Sequence, residues 1–285
     1  MDIIVGKLSG FCNGVSNTIK RASSSLDQYK KVYCLGEIVH NERVISDLEN
    51  KGMITISSID DAPNNSKVII RAHGEVKETY DKAKEKNIEL IDLTCGKILI
   101  IKNKITKKKE DSFITIIGKK NHPETLGIKS FSNGYSYIVE NEEDIEGLIN
   151  EFNNSKLNKM FVVSQTTFNA SKFDKLTNII KDKIPGEIEI DKTICNATSD
   201  RQEETKELSK QVDKMIIVGG KHSSNTKELE NISKENCKYV YLVQEAKDLN
   251  KEDFSINDKI GIMGGASTPE IIVKEIIDFL EKEVK

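Results

Sequence analysis

The chain has 285 residues, 37% of them hydrophobic and 31% charged, a globular composition far from that of disordered or membrane-embedded chains. Its 43 basic and 46 acidic residues leave a net charge of −3, which gives no electrostatic ground for binding nucleic acid or an anionic membrane. No apolar run approaches the roughly 18 residues that a bilayer span needs, and MDIIVGKLSG lacks the basic start and apolar core of a secretory signal. Five cysteines, an odd number, argue against a disulfide framework and for metal or catalytic use in a reducing cytoplasm.

In chain order, short Ile- and Val-rich runs predict strands at Asp2–Lys7, Lys31–Leu35, Lys67–Arg71, Glu89–Leu93, Phe113–Ile117 and Tyr135–Val139. Further strands are predicted at Met160–Val163, Glu187–Ile190, Lys214–Val218, Tyr239–Val243 and Lys259–Met263. Amphipathic stretches between them, such as Val44–Lys51, Val76–Lys86, Ser171–Lys183, Asp200–Gln211 and Glu270–Glu283, predict helices. Alternation at this pitch indicates an α/β fold of βαβ units with parallel sheets, whose ligands bind beyond the carboxyl ends of the strands. Three related small α/β domains are expected, at residues 12–93, 94–192 and 193–285, the third completed by the strand within residues 1–11. The lysine-dense run Lys102–Lys109 reads as a solvated helix face, because Glu110 and Asp111 follow at once and no aromatics interleave.

Three cysteines mark the repeat. Cys12, Cys95 and Cys195 each follow a predicted strand and precede a predicted helix, 83 and 100 residues apart, and His40, His122 and His222 follow them by 28, 27 and 27 residues. Amides at a helix start favour a thiolate. Zinc sites pair cysteines at close spacing, which is missing here, so three isolated soft thiolates suit an iron–sulfur cluster better. A four-iron cluster on three cysteines keeps one iron open as a Lewis acid. Cys34 and Cys237 lack the turn and are assigned no role.

The other candidates gather at strand ends. His40, His73 and His122 stand where a binding face would be, able to donate to phosphate oxygens and to carry protons near neutrality. Glu124 follows His122 by two positions and becomes a proton donor if burial raises its pKa. Two strand–glycine–hydroxyl–helix segments, Gly219-Gly220-Lys221-His222-Ser223-Ser224-Asn225-Thr226 and Gly264-Gly265-Ala266-Ser267-Thr268, offer amides and helix starts to a phosphate without matching a nucleotide loop. Ser164-Gln165-Thr166-Thr167 is a weaker segment that an ordinary N-cap would explain equally well.

In order, GFCNGV, GEIVHN, RAHG, DLTC, HPET, SQTT, TICNATSDRQ, HSSNT and GGASTPE resemble the motifs of the 4-hydroxy-3-methylbut-2-enyl diphosphate reductases, over nearly the whole chain. That family catalyses the last step of the methylerythritol phosphate route to isoprenoids. The resemblance implies a trefoil of three pseudo-symmetric α/β domains around an oxygen-sensitive [4Fe-4S] cluster held by Cys12, Cys95 and Cys195. It implies a diphosphate held by His40, His73, His122, Ser223, Ser224, Asn225 and Ser267. Glu124 would relay protons with His122 beside it, Thr166 would orient the substrate hydroxyl, and Thr198 would line the pocket. Ferredoxin or flavodoxin would supply electrons, and a monomer or weak dimer is expected. The chain departs from the family pattern at Gly96, where proline is usual and a looser turn is expected here. It departs also at Lys119-Lys120-Asn121, where a glycine-rich acidic run is typical, and at His222, where many relatives carry asparagine.

Two other classes fit some of these residues. A zinc phosphoesterase would use the histidines, Glu124 and cysteines as metal ligands. A cluster-bearing sensor would need a nucleic-acid or partner surface, which the balanced charge does not supply.

Overall fold

The computed structural model describes residues 1–132 and 134–284; Lys285, the last residue of the third expected domain, lies outside them. The chain separates into two compact units. The first comprises Met1–Ile19, Val39–Asn50 and the segment from Asn196 onward; the second comprises Lys20–Ile38 and Lys51–Cys195.

In the second unit lie β2 (Val32–Leu35), β3 (Met53–Ile56), β4 (Lys67–Ile70) and β5 (Glu89–Asp92), which pair in parallel in the order β3-β2-β4-β5, with α3 (Lys77–Glu85) between β4 and β5. After α4 (Gly96–Lys108), the strands β6 (Phe113–Ile117), β7 (Ser136–Val139), β8 (Lys159–Ser164) and β9 (Glu187–Ile190) repeat that order as β7-β6-β8-β9. Their crossovers carry α5 (Pro123–Lys129), α6 (Ile145–Ser155) and α7 (Ala170–Lys183). The first unit holds β10 (Lys214–Val218), β11 (Tyr239–Val243) and β12 (Lys259–Gly264), together with β1 (Asp2–Val5). Here the order is β11-β10-β12-β1, with Asp2 opposite Lys259 and Val5 opposite Ile262. Its helices are α2 (Glu42–Glu49), α8 (Asn196–Ser209), α9 (Ser224–Asn236) and α10 (Glu270–Glu283), while α1 (Asn13–Tyr29) starts in it and ends in the second unit.

The same strand order recurs in all three sheets, with the fourth strand of the last one taken from the chain's beginning. In each sheet the strand just before a cysteine is the outer neighbour of the third strand: β1 before Cys12, β5 before Cys95, β9 before Cys195. His40, His122 and His222 follow the first strand of their respective sheets, although His222 is exposed.

Central strands are continuously apolar because helices cover both faces. In β6 and β8, Phe113, Ile117, Met160 and Val162 face Leu148 and Phe152 of α6 and Phe173, Leu176 and Ile180 of α7. Ile114, Ile116, Phe161 and Val163 face the other way, onto Ile101 and Ile105 of α4 and Ile128 of α5. Each such side chain, once buried, contributes about 1.5–3 kcal/mol. Edge strands alternate instead, as in β9, where Glu187 and Glu189 point to solvent.

The eleven predicted strands are all present, within two residues at each end. The twelfth, β3, went unread: it is a four-residue edge strand with only Met53 and Ile56 buried, too short and too polar in its flanks to stand out. The run Lys102–Lys109 needs correction. Lys104 and Lys108 reach Asp191 and Glu189 at the surface, each 2.5 Å away, but Lys102 is only 4% exposed. Its Nζ donates to the Glu75 carbonyl at 2.9 Å and lies 4.6 Å from the centre of the Phe131 ring. Desolvation pushes that amine down to about 8.

The turn at Gly96 is not loose. Cys95 caps α4 with φ −58° and ψ 135°, and the Asp92 carboxylate accepts from the Thr94 N–H at 2.9 Å and its hydroxyl at 2.5 Å. Gly96 is the first residue of the helix, where an N–H has no intrahelical partner, and a Cβ added there would meet nothing within 4 Å. Gly96→Pro is therefore expected to stabilise the metal-free protein by about 0.4–1 kcal/mol in thermal unfolding, by restricting the unfolded chain.

Candidate functional site

In the second unit, six sequence candidates or their neighbours form an unbroken run of contacts. The Cys95 N–H donates to the Ala72 carbonyl at 3.0 Å, one residue before His73. The His73 and His122 rings meet edge to face with centroids 5.6 Å apart. His122 caps α5, its Nδ1 accepting from the Glu124 N–H at 3.2 Å, which leaves Nε2 as the ring's donor. Glu124, 1% exposed, accepts from the Thr166 N–H at 2.5 Å and from its hydroxyl at 2.9 Å. The Thr166 carbonyl accepts in turn from the Cys195 N–H at 3.0 Å.

Glu124 owes its chemistry to this placement. Proline at the start of α5 and the His122 cap fix the helix so that Glu124 projects inward. Burial pushes the carboxyl up to about 7, against the two Thr166 bonds that favour the charged form. A carboxyl poised there can hold a proton near neutrality and give it up, as a general acid must.

The first unit gathers the remaining candidates. The Cys12 N–H donates to the Ala266 carbonyl at 3.1 Å, and the next residue, Ser267, donates its hydroxyl to the His40 carbonyl at 3.3 Å. That carbonyl passes so close over Gly220 that a Cβ there would overlap it. The Gly220 carbonyl accepts from the Ser223 N–H at 3.0 Å, and Ser223 caps α9, its Oγ accepting from Thr226 at 3.3 Å. Ser224, Asn225 and Ser267 are buried. Both side-chain polar atoms of Asn225 are buried and have no partner among the described residues. A buried amide left so is costly without a ligand, and its two N–H donors at a helix start suit phosphate oxygens. Thr198 is buried on α8.

Some readings change. Ser164-Gln165-Thr166-Thr167 is no helix cap: Asn169 caps α7, its carbonyl oxygen accepting from Lys172 at 2.7 Å. The Thr166 hydroxyl serves Glu124 instead, while the Ser164 hydroxyl meets that of Thr193 at 3.1 Å and the Thr167 hydroxyl accepts from Gln165 Nε2 at 2.8 Å. Gln165, passed over in the sequence because a glutamine carries no obvious chemistry, is fully buried, and its Oε1 accepts from the Lys119 N–H at 3.0 Å. It thereby holds the loop leading to His122. The atypical Lys120 in that loop reaches the Asp144 carboxylate, and its N–H donates to Glu140 at 2.9 Å.

The donor set fits an iron–sulfur cluster. Three cysteines in no disulfide each precede a helix, at a turn whose backbone is tied to the loop after a neighbouring strand. Cys34 and Cys237 are instead buried within or beside strands, the Cys34 thiol donating to the Gly36 carbonyl at 3.4 Å. No helix among the described residues is long and apolar enough to cross a membrane.

Comparison with known proteins bears on this arrangement. The model of the LytB protein family matches residues 3–281. The 4-hydroxy-3-methylbut-2-enyl diphosphate reductase of Caldanaerobacter subterraneus subsp. tengcongensis is 37% identical over 283 residues, covering 98% of this chain and 96% of its own. That of Clostridioides difficile is 36% identical over 283 residues, covering 99% of each. Among solved structures, the E-1-hydroxy-2-methyl-but-2-enyl-4-diphosphate reductase from Plasmodium falciparum superposes with a TM-score of 0.90 at 32% identity, over 99% of this chain and 88% of that one. A second, described as (E)-4-hydroxy-3-methyl-but-2-enyl diphosphate reductase, the terminal enzyme of the non-mevalonate pathway, superposes at 0.70 with 36% identity, over 99% of both chains.

Proposed function

Because the chain belongs to the LytB protein family and catalyses the reduction of 4-hydroxy-3-methylbut-2-enyl diphosphate, the terminal reaction of the non-mevalonate pathway, we propose a role for each group in its candidate site. Reductases of this family use an iron–sulfur cluster. Cys12, Cys95 and Cys195 would hold a [4Fe-4S] cluster. When bound, it supplies two electrons singly and an open iron as Lewis acid.

The diphosphate is held by His40, His73, His122, Ser223, Ser224, Asn225 and Ser267, with Thr198 lining the pocket. Neutral His122 donates from Nε2, and the Asn225 N–H groups gain an acceptor. Thr166 orients the allylic hydroxyl. Glu124 protonates it, so that the carbon–oxygen bond breaks with loss of water. Two electrons and a second proton then complete isopentenyl or dimethylallyl diphosphate. The observation that supports this reading is the link Glu124–Thr166–Cys195, a buried carboxyl of pKa about 7 two residue contacts from a cysteine.

Domains at residues 12–93, 94–192 and 193–285, the last with the strand from residues 1–11, are part of the proposal, supported by the threefold strand order. So are a cytoplasmic location, a ferredoxin or flavodoxin donor and a monomeric or weakly dimeric state, which follow from the resemblance.

The test is anaerobic oxidation of reduced methyl viologen by cluster-loaded protein on adding 4-hydroxy-3-methylbut-2-enyl diphosphate. Substrate-dependent bleaching is expected. Cys95→Ser should lose both iron and bleaching, and Cys34→Ser should keep both. Iron loss in Cys34→Ser, or full iron in Cys95→Ser, would overturn the ligand assignment.

A further inference from the structure

We infer that Arg201 and Glu204 are positioning residues for Cys12, clamping from α8 the loop that carries it. This rests on the reading of Cys12 as a cluster ligand. Arg201 and Glu204 lie three residues apart on α8, hence on one face of it. The Arg201 guanidinium, 4% exposed, donates to the Leu8 carbonyl from Nε at 2.9 Å and Nη2 at 2.6 Å, and from Nη2 to the Gly10 carbonyl at 3.0 Å. The Glu204 carboxylate accepts from the Lys7 N–H at 2.5 Å and the Leu8 N–H at 2.9 Å. One side chain gathers the loop's carbonyls and the other its amides.

Among the described residues, the loop's other ties run to β12 and to the Ala266 carbonyl just beyond it. Lys7 and Leu8 are exposed, Leu8 at 41%, so neither is anchored by burial. The end of β12 holds the far side, with the Gly6 N–H on Ile262 at 2.8 Å and the Ser9 hydroxyl accepting from the Gly264 N–H at 2.9 Å. The other two cysteine turns are held by nearer groups: Asp92 before Cys95, and Thr193, bonded to the Ser164 carbonyl at 2.7 Å, before Cys195. Among the described residues, the approach to Cys12 is set by side chains more than 190 residues away in sequence. Burying a guanidinium is expensive unless its hydrogen bonds are well made, and here they end two residues from the sulfur-bearing residue. Groups that orient a metal ligand typically govern metal affinity ten- to hundredfold when removed, by about that range.

The test measures anaerobic release of iron from cluster-loaded protein to a sulfonated bathophenanthroline chelator. Glu204→Gln and Arg201→Met are each expected to speed release about ten- to hundredfold and to alter the electron paramagnetic resonance spectrum of the reduced cluster. Arg43→Met, which removes an arginine paired with Glu275 at 2.8 Å elsewhere in the same unit, should release iron at the wild-type rate. In a Cys12→Ser background, Glu204→Gln should add nothing. Wild-type release in Glu204→Gln, with Cys12→Ser fast, would overturn the clamp; an equal acceleration with and without Cys12 would also overturn it. If Cys12→Ser itself releases no faster, the ligand reading fails instead. Should Arg201→Met not fold, Glu204→Gln, whose side chain is partly exposed, decides alone.

Discussion

Glu124→Gln is expected to lower turnover by about 10²–10⁴-fold while leaving iron content and colour unchanged, because a general acid contributes on that order and the cysteines are untouched. Viologen oxidation and iron analysis on one preparation check both halves. The pH dependence carries its own sign. The acid must be protonated, so wild-type turnover should fall as pH rises through about 7. Thr166→Val removes a bond that favours the carboxylate, and the falling limb should then move to higher pH. Stability follows the same proton. The folded value lies above the ordinary value of roughly 4.3, so the folded state retains a proton that the unfolded chain gives up. The stability this contributes is full below about 4.3 and is lost as pH rises through about 7. Glu124→Gln should flatten that window in unfolding of the metal-free protein; normal turnover in the variant would end the acid's role.

Asn225→Leu should separate stability from binding. Both polar atoms of the amide are buried without partners, and a leucine of similar shape removes a desolvation cost of about 1–3 kcal/mol. The metal-free variant is therefore expected to melt higher than wild type. Its affinity for inorganic pyrophosphate, measured by calorimetry, should drop roughly ten- to hundredfold, the worth of one hydrogen bond to a charged group. A variant that melts lower and binds pyrophosphate as well as wild type would remove Asn225 from the anion site.

The parts of this molecule that were legible in the sequence are those with a local signature. Apolar runs located eleven strands, and cysteines at strand-to-helix turns stood out through their neighbours. Glu124 stood out as a carboxyl but its pKa did not, since burial and the Thr166 bonds come from the segment just after β8, some forty residues on. Gln165 and Glu204 escaped because their work is done on backbone atoms of distant loops, 46 and 197 residues away. No periodicity records such a partnership. Lys102 was misread for the opposite reason: its composition said surface, and only the packing of Tyr80 and Phe131 around it, with the Glu75 carbonyl at its tip, says otherwise.

The pairing of β1 with β12 bears on how the chain is made. Strand β1 cannot find its partner until Lys259–Gly264 has been synthesised, a delay on the order of ten to fifty seconds at ordinary elongation rates. Throughout that interval the two sheets of the second unit can complete themselves from contiguous sequence, while DIIV trails as an unpaired edge. The Cys12 turn, which follows that strand, is consequently the last of the three to form. Nascent chains stalled before Lys259 should contain two finished sheets and one cysteine turn still without its Ala266 partner. Metal insertion into the complete three-cysteine set would then have to follow translation.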